Sequence, residues 1–414
     1  MSLEVVTFGC RLNIYESELI KKHARNAGIN DAIIFNSCAV TKEAERKLRQ
    51  AIRKAKKENP EHRIMVTGCA AQIASHKYAK MKEVDVVFGN HEKLQQSTYK
   101  RLQDAQSVLI SDIMSVKETV HHMVDGFENK SRAFLQIQNG CNHRCTFCII
   151  PYARGNSRSV AADEIIHHAE NLVAKGYKEF VLTGVDITDY GKDLAGQLSL
   201  GNMIKQLLKA TPEIKRLRLS SVDVAEIDSE LFDIITHEKR FMPHLHLSLQ
   251  AGDDMILKRM RRRHRRQDVI DFCRKVWSIR PEVVFGADVI AGFPTETEEM
   301  FQNTYDLIKE LNIIHLHVFP YSSRENTPAS RMPQVEGNII KARVKKLQAL
   351  KDNLLDTHLA KKIGMTECVL AESGNHGYTE DYCHVLSHKK LERGKIYQLK
   401  ISGVSAKEKL SSHI

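Results

Sequence analysis

At 414 residues the chain has room for two or three domains with separate cores. Its 42% hydrophobic and 27% charged content is ordinary for a globular protein, and no run nears the ~18 consecutive apolar residues of a membrane span or matches an export leader, which sets aside membrane and secreted classes. The net charge of +11 permits a polyanionic partner without establishing one, and nine cysteines fit a reducing cytoplasm where thiols serve metals or catalysis.

The N-terminal third alternates short apolar runs with helical segments. Runs at Leu3–Phe8, Ala32–Phe35 and Ile64–Val66 lead into Gly9-Cys10, Asn36-Ser37-Cys38 and Thr67-Gly68-Cys69. Helices are expected over about Tyr15–Ala27 and Thr41–Lys57, with Thr41 as an N-cap, and a fourth apolar run covers Val84–Phe88. This rhythm predicts a parallel sheet with crossover helices. All strand C-termini then share one edge, so Cys10, Cys38 and Cys69 converge although they are distant in sequence. Three independently buried thiols are the plain alternative. Convergence predicts an iron–sulfur cluster with three protein ligands and one open iron. The Thr41 helix is strongly basic around a narrow line of Ala44, Leu48, Ala51 and Ala55, which makes it either a solvated face or a phosphate-binding one.

The stretch Gly140-Cys141-Asn142-His143-Arg144-Cys145-Thr146-Phe147-Cys148 spaces three cysteines as C-x3-C-x2-C. Three thiolates can hold three irons of a cubane and leave the fourth to an exchangeable ligand. Zinc favours four ligands and paired C-x2-C arrangements; no second pair exists, and His143 inside the loop would only crowd an ion. Around this loop the candidate strands are Ala133–Gln138, Glu179–Thr183, Arg216–Leu219, His244–Leu249, Val283–Ile290 and Ile314–Phe319. Six such units fall short of the eight of a closed barrel, so an open (β/α)6 barrel is expected. The cysteine loop follows its first strand, at the mouth where barrel enzymes place their chemistry.

Thr183-Gly184, Ser220-Ser221 and Gln250 follow later strands and offer the glycine, hydroxyl and amide groups that a nucleoside ligand needs. No P-loop or G-x-G-x-x-G is present, so nucleoside triphosphates and NAD have no support. The pairs His244/His246 and His315/His317 each share a strand face and are expected to line the barrel, because no carboxylate or cysteine accompanies them at ligand spacing. Six arginines between Arg259 and Arg266 suit either phosphate contact or a solvated helix face. After a helix over Lys341–Lys361, the runs Cys368–Ala371, Cys383–Leu386 and Ile396–Ile401 predict a small β-barrel whose composition permits an RNA surface. Cys273, Cys368 and Cys383 read as buried or free thiols.

These residues resemble the radical S-adenosylmethionine (SAM) methylthiotransferase family over essentially the whole chain. The resemblance rests on six cysteines in order, on Ile150-Pro151-Tyr152-Ala153-Arg154-Gly155 and on Gly377-Tyr378-Thr379-Glu380. Gly9-Cys10-Arg11-Leu12-Asn13, Tyr15-Glu16-Ser17-Glu18 and Cys38-Ala39-Val40-Thr41 look like the branch acting on N6-threonylcarbamoyladenosine beside the tRNA anticodon. Ser37 stands where threonine is usual and Asn139 where an acid is usual.

The resemblance implies an α/β chain in three parts: a cluster-binding domain at 1–125, a radical SAM partial TIM barrel at 126–363 and a TRAM β-barrel at 364–414. It implies two [4Fe-4S] clusters, one on Cys10, Cys38 and Cys69, the other on the catalytic Cys141, Cys145 and Cys148. SAM would bind the open iron of the latter near Phe147, Thr183, Gly184, Ser221 and Gln250. The implied reaction inserts a methylthio group at C2 of the modified adenine at position 37 of tRNA, in a bacterial cytoplasm, with electrons from a donor such as flavodoxin or ferredoxin. The alternatives are the same chemistry on N6-isopentenyladenosine or on a ribosomal-protein aspartate.

Overall fold

The structure is a computed structural model that describes residues 3–103, 108–117, 123–405 and 409–413. Strands β1 (Glu4–Thr7), β2 (Ala32–Ser37), β3 (Arg63–Gly68), β4 (Val86–Phe88) and β5 (Val108–Leu109) form one parallel sheet in that order. Helices α1 (Arg11–Asn26), α2 (Lys42–Glu58), α3 (Cys69–Ala79) and α4 (Gln96–Leu102) alternate with them. β2 is buried from end to end because its alternating side chains serve two cores. Ile33 and Phe35 pack with Leu48 and Ile52, while Ala32 and Ile34 pack with Ile20, Ala24 and Tyr99. Thr41 does cap α2, its hydroxyl accepting from the Ala44 amide at 3.1 Å. α1 starts directly after Cys10 rather than near Tyr15, and the two-residue β5 was too short to carry a sequence pattern.

The middle of the chain is the expected open (β/α)6 barrel. Its strands are β6 (Arg132–Gln136), β9 (Glu179–Thr183), β10 (Arg216–Leu219), β11 (His244–Gln250), β12 (Val284–Ala291) and β13 (His315–Pro320), with a small hairpin of β7 (Gln138–Asn139) and β8 (Arg158–Ser159). β6, β9 and β10 pair in parallel, as do β11, β12 and β13, and bridges from Leu217 to Phe241 and Val222 to Leu247 join the two triplets. The helices are α5 (Ile150–Arg154), α6 (Ala162–Ala174), α7 (Leu200–Ala210), α8 (Ser229–His237), α9 (Asp254–Met260), α10 (Arg266–Ile279), α11 (Glu298–Glu310) and α12 (Gly337–Lys361). Leu135, Phe180, Leu217, Leu245, Ala287 and Leu316 share the large core with the outer helices. The alternate strand positions therefore face the lumen.

The C-terminal segment closes into a β-barrel of β14 (Thr366–Ala371), β15 (His376–Tyr378), β16 (His384–Ser387), β17 (Ile396–Ser405) and β18 (Lys409–His413), five strands where three were expected. The turn between β15 and β16 plugs the lumen at the strand N-termini. Arg218 donates to the carbonyls of Glu380 and Thr379 at 2.8 and 3.0 Å, and His315 to that of Asp381 at 2.9 Å. Tyr382 accepts from Arg132 at 2.6 Å and stacks on His244 with ring centroids 5.1 Å apart.

Candidate functional site

The loop carrying Cys141, Cys145 and Cys148 is shaped by backbone bonds and one glycine. Gly140 has φ +75°, and a Cβ there would run into the Asn156 carbonyl. Cys141 N donates to Gly155 O at 3.1 Å, Cys148 N to Cys145 O at 3.0 Å and Thr146 N to Met260 O at 3.1 Å. His143, expected only to crowd an ion, is engaged by two carboxylates. Its Nε2 lies 3.0 Å from an Asp186 oxygen and 3.2 Å from one of Glu226, hydrogen bonds that push it up to about 10 and anchor the loop to its neighbours. Arg262 reaches Cys145 Sγ at 3.6 Å and is held by Asp223 at 2.8 Å.

Two of the loop's thiols are held protonated by their surroundings. Burial pushes Cys148 up to about 12, and burial with the Asp186 charge pushes Cys141 further. Such groups become thiolates only when a cation takes up their charge, as cluster iron does.

The three N-terminal cysteines follow β1, β2 and β3, and adjacent pairing brings them to one edge. A Cβ on Gly9 would stand 2.8 Å from Cys38 Cβ, and one on Gly68 2.8 Å from Asn36 Oδ1, so each strand end presses on the next. Cys10 is exposed, Cys69 buried, and Cys38 is pushed up to about 11 by burial and then by the Cys69 charge. Ser37, in place of the usual threonine, accepts from the amides of Ala70 and Ala71 at 3.1 and 3.3 Å and so caps the helix that Cys69 begins.

The segments that carry the two cysteine sets share one interface that the sequence did not disclose. Ile149 and Ala153, just after Cys148, belong to the same apolar core as Cys69, Ala70 and Ala71. Arg154 donates to Glu16 Oε1 and Oε2 at 2.8 and 2.9 Å and to Asn13 Oδ1 at 2.6 Å, and Lys93 meets Glu16 from the other side at 2.7 Å. Asn139 accepts from Arg154 at 3.1 Å, so its exchange for an acid leaves the Arg154–Glu16 pair intact. Asn90 bridges from the Ala153 carbonyl (2.7 Å) to Cys69 Sγ (3.7 Å).

The residues proposed to contact a nucleoside divide into two groups. Thr183 donates its hydroxyl to Val181 O at 3.1 Å, and a Cβ on Gly184 would meet Gln138 Oε1 at 2.8 Å, so both build the strand end. Gln138 Oε1 in turn accepts from the amides of Val185 and Asp186. Ser220 and Ser221 are both partly exposed, with the Ser220 hydroxyl oxygen itself buried. Gln250 ends β11 with φ +68°, one of several side-chain-bearing residues in the left-handed region. Phe147 packs edge-on against Phe293 at 6.3 Å.

Two expectations are corrected. The arginine run divides: Arg259 donates to Thr295 O, Arg262 turns to Cys145, Arg263 to Glu226 and Arg266 to Gly252 O, while Arg261 and Arg265 are exposed. The barrel histidines do have a carboxylate. Asp288 Oδ1 lies 3.0 Å from both His246 Nε2 and His317 Nδ1, because β12 runs between β11 and β13. The basic face of α2, by contrast, pairs with Glu43, Glu45, Glu58 and Glu83 at the surface.

Residues 135–308 match the radical SAM superfamily and residues 2–89 the uncharacterized protein family UPF0004. The chain is 56% identical over 401 residues to the threonylcarbamoyladenosine tRNA methylthiotransferase MtaB of Rickettsia prowazekii, covering 97% of this chain and 95% of that one. It is 36% identical to the Bacillus subtilis protein of the same name, covering 95% and 92%. A tRNA-2-methylthio-N(6)-dimethylallyladenosine synthase of Shouchella clausii is 32% identical, covering 84% and 70%. Among solved structures, the radical SAM methyltransferase TsrM of Kitasatospora setae superposes with a TM-score of 0.58 at 12% identity, over 80% of this chain and 74% of that one, a likeness of fold. With its parallel N-terminal sheet, open barrel and C-terminal β-barrel, the chain belongs to the MtaB family of radical SAM methylthiotransferases.

Proposed function

We propose that this chain inserts a methylthio group at C2 of N6-threonylcarbamoyladenosine at position 37 of tRNA. The observation that carries the reading is the buried core that the segment after Cys148 shares with Cys69, in a chain whose nearly full-length relatives bear that activity's name. Radical SAM membership brings a [4Fe-4S] cluster and SAM. We assign that cluster to Cys141, Cys145 and Cys148, and a second to Cys10, Cys38 and Cys69. When bound, the first supplies the electron for reductive SAM cleavage and so the carbon radical needed at an unactivated C–H bond. The chain's own residues orient and shield. His143, Asp186 and Gln138 fix the cysteine loop, Arg262 sets a positive charge beside Cys145, and Phe147, Ser221 and Gln250 stand where SAM would lie, with Thr183 and Gly184 shaping the wall. We further assign residues 1–125, 126–363 and 364–414 to the cluster-binding, radical SAM and TRAM units, and the reductant to a flavodoxin- or ferredoxin-type protein of the cytoplasm.

The test is nucleoside mass spectrometry of tRNA from cells lacking the gene, complemented with the wild type or with Cys141→Ala. Only the wild type should restore 2-methylthio-N6-threonylcarbamoyladenosine. Restoration by Cys141→Ala would refute the catalytic assignment, and loss of the isopentenyl analogue instead would move the substrate to that nucleoside.

A further inference from the structure

The lumen holds a polar layer that the radical chemistry does not use. His246 and His317 both approach one oxygen of Asp288 at 3.0 Å. Register places them together: His246 pairs with Gly286, and Asp288 with His317. Gly286 is glycine for this reason, since a Cβ there would stand 2.6 Å from His246 Nδ1. Burial pushes the Asp288 carboxyl up, but the two imidazole hydrogen bonds outweigh it and hold the group well below the usual carboxylate range.

Other lumen cations are already engaged. Arg132, Arg216 and Arg218 are at most 6% exposed and are engaged by Glu179 and by groups of the C-terminal barrel. His317 is different: its side chain is 63% exposed, and no hydrogen bond to its Nε2 is formed among the described residues.

Depth supplies the second argument. Ile290 and Phe319 pack with Phe147 at the mouth. Asp288 and His317 lie two residues earlier on the same strands, about 7 Å deeper at 3.3 Å per residue. The threonylcarbamoyl arm, from N6 through carbonyl, nitrogen and Cα to its carboxylate, spans about 6 Å in bonds of about 1.3–1.5 Å. An adenine held at the mouth would place that carboxylate at this layer.

We infer that His317, positioned by Asp288 and His246, receives the carboxylate of the threonylcarbamoyl arm and so sets the choice of threonylcarbamoyl- over isopentenyladenosine. A second carboxylate at Nε2 would give the ring an anion on each side. An isopentenyl arm would leave the layer unmatched. The inference rests on the proposed substrate and names the side chain that recognises it.

The experiment uses cluster-loaded enzyme and an anticodon stem-loop RNA carrying N6-threonylcarbamoyladenosine, and the same RNA with the threonyl carboxylate converted to its amide. His317→Ala should raise KM for the acid RNA about tenfold or more with kcat changed less than about twofold, the loss of one charge-assisted hydrogen bond. The amide RNA should lose a similar factor with the wild type and nothing further with His317→Ala. Iron content and melting temperature, expected to match the wild type for an exposed side chain, show that the variant is folded. An unchanged KM, or an amide penalty that persists in His317→Ala, overturns the inference. A KM that falls only when Zn2+ is added, and only in the wild type, overturns it in favour of a cation on the same three side chains. Wild-type enzyme that ignores the acid RNA but modifies an isopentenyladenosine stem-loop sinks the substrate reading itself.

Discussion

Glu16 shows how one residue joins two parts of the chain. It is fully buried, with Arg154 on one side and Lys93 on the other. Burial alone would raise its carboxyl, yet the two cations outweigh it and hold it near about 2. An unfolded glutamate titrates at about 4.3. The folded value is the lower one, so this group's stabilisation is complete above the unfolded value and is lost as pH falls through the folded one. Glu16→Gln keeps the shape but leaves two buried cations unmatched, and should cost about 3–5 kcal/mol in denaturant unfolding at neutral pH. The difference between wild type and variant should shrink as pH drops from about 4.5 towards 2. Glu179, Asp223 and Glu226 are held near about 2 in the same way, and taking that difference cancels their shared contribution.

At the scale of elements, the cysteine sets depend on turns as much as on thiols. Gly68 has φ +91° and lies against the Ser37 backbone, so that β3 can end and α3 begin at Cys69. Gly68→Ala should destabilise the N-terminal unit by about 1–3 kcal/mol. It should also lower iron bound there while SAM cleavage at the other set persists, which iron analysis and a cleavage assay would read separately. The strand–helix alternation made this edge legible in the sequence, because Cys10, Cys38 and Cys69 each follow an apolar run. The Asp288 partner was not legible: it lies 42 residues from His246, and ligand spacing along the chain is blind to register between strands. The arginine run misled for a related reason. Arg259 and Arg266 are satisfied by carbonyls of Thr295, Gly252 and Asn303, and no side-chain pattern announces a carbonyl.

At the scale of the molecule, the C-terminal barrel completes the central one. Tyr382 lies under the guanidinium groups of Arg132 and Arg218, at 5.1 and 4.8 Å from its ring centre, and its hydroxyl accepts from Arg132 across 250 residues of sequence. Tyr382→Phe removes only that acceptor and should cost about 1–3 kcal/mol. Tyr382→Ala also removes the ring and should cost more. The single tryptophan, Trp277, packs on Phe285 of the central barrel, so its fluorescence in thermal melts reports whether loss of the plug loosens that barrel. If neither variant shifts that transition, the plug is a neighbour and not a support. The plug was only half legible, since Gly377-Tyr378-Thr379-Glu380 marked the segment without saying where it docks.

The core shared by Ile149, Ala153 and Cys69 works like a caliper locked at one opening. Parting the jaws would expose that core to water, so the base is reached at less cost by moving the RNA. On the proposed reaction, the deformable partner is the anticodon loop: adenine 37 must leave its stack at a cost of a few kcal/mol. Loops that release that base cheaply then become the better substrates, whatever letters surround it.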